Sequence, residues 1–252
     1  MRKISAVSYT NTIPFLFGLE KIKLKYDLEI ALDYPALVAE KLINGTAQIG
    51  LVPVAVIPEL KDAQIISDYC IGADGRVNSV LLLSNKPIHE IKRIYLDYQS
   101  KTSVNLCRIL CIEHWKITPV FIPATPSYLN QLLEFDAAVI IGDRAMNAVS
   151  QFLYHYDLAE EWKKHTNLPF VFACWVSVDP TLDRNFLNAF NEALAYGVAN
   201  REEAIVRAPQ VINKDKLIEY VNNNISYKLD EAKKTALETF LTRLSKMNQI
   251  NI

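Results

Sequence analysis

Short apolar runs alternate with amphipathic stretches from Lys3 to Val178, and this alternation commits the chain to an α/β fold. Strands are predicted at Lys3–Val7, Asp27–Asp33, Ala47–Val52, Gln64–Ser67, Val80–Ser84, Arg93–Asp97, Pro119–Ile122, Asp136–Ile141 and Phe170–Val178. The segment DLEIALD has the period of two of a half-buried strand, whereas DAAVII is an unbroken apolar run suited to burial on both faces. Helices are predicted between them at Asn11–Glu20, Pro35–Asn44, Pro53–Leu60, Ser103–Trp115, Ser127–Glu134, Arg144–Phe152 and Leu158–Lys164. Pro14 falls in a first helical turn, where its missing N–H costs nothing, and Asn44-Gly45 reads as a helix end. After Pro180 only helices are expected: Thr181–Asn200, Glu202–Ala208, Lys214–Asn223 and Asp230–Met247.

Strands alternating with helices imply mainly parallel sheets with flanking helices. The set is long for one sheet, so two lobes of roughly 100–150 residues are expected. Val80–Ser84 and Phe170–Val178 bracket the middle block as crossovers. The predicted division is residues 1–84 plus 177–252 as a discontinuous first lobe and 85–176 as the second, with the helical tail on the first lobe. This plan resembles the type II periplasmic-binding-protein fold, whose ligand lies in a cleft between lobes.

The charge balance of 27 basic and 28 acidic residues argues against a nucleic-acid partner. The opening MRKISAVSYTNTIPFLFGLE has no long apolar core and no small-residue cleavage site, so no signal peptide is read. No run approaches the ~18 apolar residues of a membrane span, and a cytoplasmic location is expected. A homo-oligomer is compatible with the sequence. Cys107 and Cys111 share a helix face and, with Cys70 and Cys174, read as buried thiols.

Polar loops follow several strand ends, where α/β proteins bind ligands. Ser8-Tyr9-Thr10-Asn11-Thr12 precedes the first helix; its hydroxyls and amide suit a carboxylate, or Thr10 or Asn11 caps the helix. In Gly72–Val80 the glycines suit a turn, and Ser79 enters a strand in a register that decides which way it faces. In Asp97–Ser103, Ser100, Thr102 and Ser103 offer a second anion loop, or Ser100 or Thr102 is a cap. Gly142 allows close backbone approach after the buried strand, and Asp143 either meets ligand or caps the next helix. Two anion loops fit a small dicarboxylate substrate. There is no dinucleotide fingerprint, P-loop, HExxH or nucleophile elbow. His89, His114, His155 and His165 are scattered, so no metal or cofactor is expected.

The blocks SAVSYTNTIPFLFGL, AQIGLVPVAVIPEL, SDYCIGADGRVNSVLLLS, LDYQSKTSVNL, DAAVIIGDRA, YDLAEEW and TNLPFVFACW run in order from Ser5 to Trp175. Together they resemble the menaquinone-biosynthesis family that includes chorismate dehydratase. The resemblance implies a cofactor-free carbon–oxygen lyase of the futalosine route, which removes water from chorismate to give 3-[(1-carboxyvinyl)oxy]benzoate. It implies Asn11 as the catalytic residue. Ser8, Tyr9, Ser79, Ser100, Thr102, Ser103, Gly142 and Asp143 are then substrate-binding candidates, with Ser79 a carboxylate contact. An amide is a poor base, so Asn11 is expected to position the departing hydroxyl or an enolate-like carboxylate. The chain departs from the family pattern at Thr10, Lys101 and Asn167, where Leu, Arg and Gly are frequent; Lys101 keeps the charge but lacks the guanidinium fork. Rival readings are 1,4-dihydroxy-6-naphthoate synthase, whose opening motifs differ, and a non-catalytic small-acid-binding protein, which ordinarily carries a secretion signal.

Overall fold

The computed structural model describes residues 1–126, 128–134, 136–209 and 213–249. These form two compact units, Met1–Gly72 with Val171–Glu231 and Ala73–Phe170 with Ala232–Ile252. The strands are β1 (Arg2–Val7), β2 (Leu28–Asp33), β3 (Ile49–Pro53), β4 (Gln64–Ala73), β5 (Val80–Ser84) and β6 (Arg93–Leu96). They continue as β7 (Val120–Pro123), β8 (Asp136–Ile141), β9 (Tyr154–Asp157), β10 (Phe170–Ser177) and β11 (Ser226–Lys228). The helices are α1 (Ile13–Leu19), α2 (Pro35–Ile43), α3 (Lys101–Leu110), α4 (Asp143–Ala148) and α5 (Leu158–Thr166). α6 (Arg184–Ala199), α7 (Arg201–Arg207), α8 (Lys214–Asn223) and α9 (Glu231–Gln249) complete the set.

In the first unit the sheet order is β11–β4–β10–β3–β1–β2. β1 pairs in parallel with β2 and β3, while β10 runs antiparallel to β3 and β11 antiparallel to β4. β3 is buried along its whole length, as its apolar sequence IGLVP requires. Phe15 of α1 is fully buried and meets Tyr69, Trp175 and Tyr227 edge-on at centroid distances of 6.5, 5.8 and 5.2 Å. Trp175 in turn packs on Phe190 of α6 at 5.3 Å.

α1 and α6 touch through their backbones, and two glycines permit it. A Cβ on Gly18 would lie 1.9 Å from the Ala193 carbonyl oxygen, and one on Gly197 would lie 1.9 Å from that of Pro14. This contact seats α1, and with it the loop that precedes α1.

In the second unit the order is β7–β6–β8–β5–β9. β6 is parallel to β7 and β8, while β5 is antiparallel to β8 and β9. Both sheets are therefore mixed, which corrects the expectation of mainly parallel sheets. The reason is topological: β10 enters its sheet against the direction of β3, and β5 against that of β8 and β9. Leu81, Leu83, Ala138, Ile140, Ala145, Ala148 and Tyr128 form a buried cluster on one side of this sheet. α3 ends in a wider π turn at Cys111–Trp115, closed by Lys116 at a left-handed φ of 56°. That turn carries His114 and Trp115 to Glu161 of α5, at 2.9 and 3.1 Å. Burial opposes ionisation of Glu161, but hydrogen bonds from Lys164, His114 and Trp115 outweigh it and hold the carboxyl below its ordinary range.

The boundaries of the units differ from the predicted ones. β5 belongs to the second unit, and so does the body of α9. The helix is held there by aromatic and ionic contacts. Phe240 packs edge-on against Phe170 and Trp162 at 5.1 and 6.3 Å, and Arg243 donates to Glu113 at 2.6 Å. Two short strands, β9 and β11, lie where none was expected, and β4 runs on from the predicted Ser67 to Ala73. The helix predicted at Ser127–Glu134 is a 3-10 turn at Tyr128–Gln131, and Ser127 lies outside the described residues. The four cysteines are buried thiols, none of them in a disulfide.

Gly18→Ala should cost about 2–4 kcal/mol, because the added methyl meets backbone on a packed helix and no flexible side chain can yield. Urea denaturation checks this; an unchanged midpoint would show that the two helices can separate freely.

Candidate active site

The first-unit loop follows the C-terminal end of β1. Ser8 is exposed, Tyr9 and Thr10 are partly covered, and Asn11 and Thr12 are buried. The backbone N–H of Ser8 donates to the Asp33 carbonyl at 2.9 Å, tying the loop to the end of β2. Thr10–Thr12 make one 3-10 turn that runs directly into α1.

Neither this turn nor α1 has a side-chain cap, so the capping alternative for Thr10 and Asn11 does not hold. Asn11 is instead gripped from the C-terminal part of the unit. The Tyr227 hydroxyl on β11 donates to the Asn11 carbonyl at 3.0 Å, and the Asn11 amide Nδ2 donates to the Tyr220 hydroxyl on α8 at 3.3 Å. Thr12 Oγ1 donates to Asn11 Oδ1 at 3.4 Å. Burial pushes the Tyr227 hydroxyl well above the ordinary phenol range, so it stays a neutral donor.

The second unit holds the remaining predicted residues, Ser79, Ser100, Thr102, Ser103, Gly142 and Asp143. Val80 pairs with Ile141 across β5 and β8, and the Gly142 N–H donates to the Ser79 carbonyl at 2.8 Å. Ser79 and Gly142 are thus backbone neighbours, and Ser79 is buried. Its approach segment is pinned by Asp157, whose Oδ2 accepts from the N–H groups of Val77 and Asn78 at 3.0 and 2.7 Å. Asp157 Oδ1 caps α5 through Ala159 and Glu160 at 3.1 and 3.2 Å. Burial raises this carboxyl above its usual range, and the four backbone donors pull it back.

The Asp97–Ser103 loop lies at the C-terminal end of β6. Ser100 is the N-cap of α3, accepting from the Ser103 N–H at 3.2 Å, and its Oγ lies 3.1 Å from Ser103 Oγ. The capping alternative therefore holds at Ser100, while Thr102 is fully buried inside the first turn. Gly142 adopts φ 64°, a conformation that favours glycine, and it is the N-cap of α4. Asp143 is the first residue of α4 and makes no cap, so the capping alternative fails for it as well.

Sequence reasoning gave Tyr220, Tyr227 and Asp157 no part in these loops. Asp157-Leu158-Ala159-Glu160 does carry a helix-start signal, an acidic cap with Glu three residues on. The two tyrosines carry none, since their role comes from β11 and α8 folding back on the loop. His114 and His165, predicted as scattered, have rings 5.4 Å apart and each lies beside a glutamate. Among the described residues no group of three or more His, Cys, Asp or Glu is placed to hold a metal ion. None of the described helices is long and apolar enough to cross a membrane.

Solved structures of low sequence identity share this fold. A crystal structure of an Archaeoglobus fulgidus protein matches with a TM-score of 0.75 at 15% identity, covering 98% of this chain and 97% of that one. The periplasmic aliphatic sulphonate binding protein SsuA from Escherichia coli matches with a TM-score of 0.63 at 13% identity, covering 99% and 92%. The protein is thus an α/β protein of the periplasmic-binding-protein fold. In sequence, the family model described as menaquinone biosynthesis matches residues 2–246, and the chain belongs to that family. Chorismate dehydratase of Thermus thermophilus is 27% identical over 236 residues, 83% of this chain and 84% of the relative.

Asp157→Ala should lower stability by about 2–3 kcal/mol, more than the ~1 kcal/mol expected for Ser100→Ala, because it orphans buried N–H groups as well as a helix cap. Hydrogen exchange at Val77 and Asn78 should quicken in Asp157→Ala and not in Ser100→Ala. Equal exchange in the two variants would deny Asp157 its hold on the Ser79 segment.

Proposed function

We propose that the protein is a chorismate dehydratase. It removes one proton and one hydroxide from the chorismate ring, giving 3-[(1-carboxyvinyl)oxy]benzoate and water. The observation that carries this reading is the relation to the Thermus thermophilus enzyme along most of both chains, within one menaquinone-biosynthesis family. The reading makes the protein a carbon–oxygen lyase acting in the cytoplasm on a small dicarboxylate.

The ring becomes aromatic as water leaves, so the reaction has its own driving force. The protein's task is to orient the substrate and to stabilise charge as it develops. A side-chain amide does not take a proton at neutral pH, so Asn11 acts by hydrogen bonding: it holds the departing hydroxyl or the carboxylate that gains enolate character. Its backbone is fixed by Tyr227 and its amide is oriented by the Tyr220 hydroxyl, which supports a preorganised role. Ser8 and Tyr9 flank Asn11 and contribute to binding. In the second unit Ser79, Ser100, Thr102, Ser103, Gly142 and Asp143 bind substrate, with hydroxyls and the positive N-terminal end of α3 stabilising negative charge.

Incubation of the purified protein with chorismate, followed by absorbance and chromatography, should reveal an aromatic product. Asn11→Ala should keep its circular dichroism spectrum and lose roughly a hundredfold or more in kcat. Binding of chorismate without turnover in the wild type would favour a binding protein over an enzyme. Full activity in Asn11→Ala would remove that residue from the mechanism.

A further inference from the structure

We propose that Arg144 is a positioning residue for substrate binding: its guanidinium offsets the buried Asp97 carboxylate and so keeps the turn into α3 in shape and neutral toward an anion. The proposal rests on the chorismate reading, since it assigns a role in binding that substrate. Asp97 directly follows β6 and is 3% exposed. Its Oδ1 accepts from the Gln99 N–H at 2.8 Å, which bends the chain toward Ser100. Tyr128, itself buried, donates to Asp97 Oδ2 at 3.4 Å and to the Val139 carbonyl at 3.0 Å. Burial, with Asp97 alongside, pushes the Tyr128 hydroxyl above its ordinary range, so it remains a neutral donor.

The positive partner comes from α4. Arg144 Nη2 lies 3.0 and 2.7 Å from the two Asp97 oxygens and 2.8 Å from Gln99 Oε1. One terminal nitrogen thus bridges the carboxylate and the side chain two residues further along the turn. The guanidinium carbon also sits 5.4 Å from the centre of the Tyr98 ring. Three consecutive residues of the turn, from Asp97 to Gln99, are therefore organised around a single arginine.

The electrostatic consequence follows from the position of Asp97. Its carboxylate lies three residues ahead of the Ser100 cap, in the turn that leads into the helix whose N-terminal end is proposed to receive the substrate's charge. Without a compensating cation, a buried negative charge there would repel an anion through a poorly screened medium. Arg144 removes that repulsion without being required to touch the substrate.

A charge cycle tests this. Arg144→Gln should raise KM for chorismate about tenfold or more while kcat stays within about threefold. Arg144→Lys keeps the charge but loses the planar group over Tyr98 and should fall between wild type and Arg144→Gln. The double variant Asp97→Asn with Arg144→Gln removes both charges and should return KM to within about threefold of wild type. The same cycle read by thermal unfolding needs no substrate. Arg144→Gln should lower the midpoint by roughly 5 °C or more, and the double variant should regain most of it. A double variant as impaired as Arg144→Gln in KM or in midpoint would overturn the proposal, as would a wild-type KM in Arg144→Gln. Failure of the chorismate reading would be seen separately, in an inactive wild type, and the unfolding cycle would still decide the charge pairing.

Discussion

Polar groups sealed from water must find partners within the protein, and the loops of this molecule take their shape from that requirement. Asp157 satisfies four backbone N–H groups from two separate segments. Asp97 gathers a backbone N–H, a tyrosine hydroxyl and a guanidinium. In the other unit the Asn11 carbonyl is held by a buried tyrosine. Each arrangement fixes main chain rather than a side-chain tip. Loops held in this way present their remaining hydroxyls and amides in one conformation, which lowers the entropy lost on binding a small ligand.

The apolar framework serves the same end by different means. In the first unit, the glycine contact between α1 and α6 sets the depth of α1, and Phe15 locks it among Tyr69, Trp175 and Tyr227. The loop containing Asn11 is short, so its position follows from the helix. In the second unit, the antiparallel pairing of β5 with β8 brings Ser79 beside Gly142, although the two are far apart in sequence. α9 closes that unit through Phe240 and Arg243.

The fold is shared with proteins that bind small molecules, such as the sulphonate-binding SsuA. Fold alone does not decide chemistry; the residues at the strand ends do. A reaction driven by aromatisation asks for orientation and charge stabilisation before it asks for a strong base. On the proposed reading, a binding-protein fold supplies those two things.

The sequence by itself determined the α/β class, most strand and helix positions, and the polar loops at strand ends, because periodicity and turn chemistry are local. β5, β8 and α8 fall at the predicted residues. Ser79, Ser100 and Gly142 could be singled out for the same reason, each standing at a junction that local rules mark. Tertiary structure alone decided strand direction, the unit to which α9 belongs, and the partners of the buried polar groups. β9, with the sequence YHYD, and the three-residue β11 lack any strand pattern and exist because a neighbouring edge pairs with them. Tyr227 reaches Asn11 from 216 residues away, and Arg144 reaches Asp97 from 47. No local rule encodes such pairings, since they are set by the packing that makes leaving those atoms unpaired too costly.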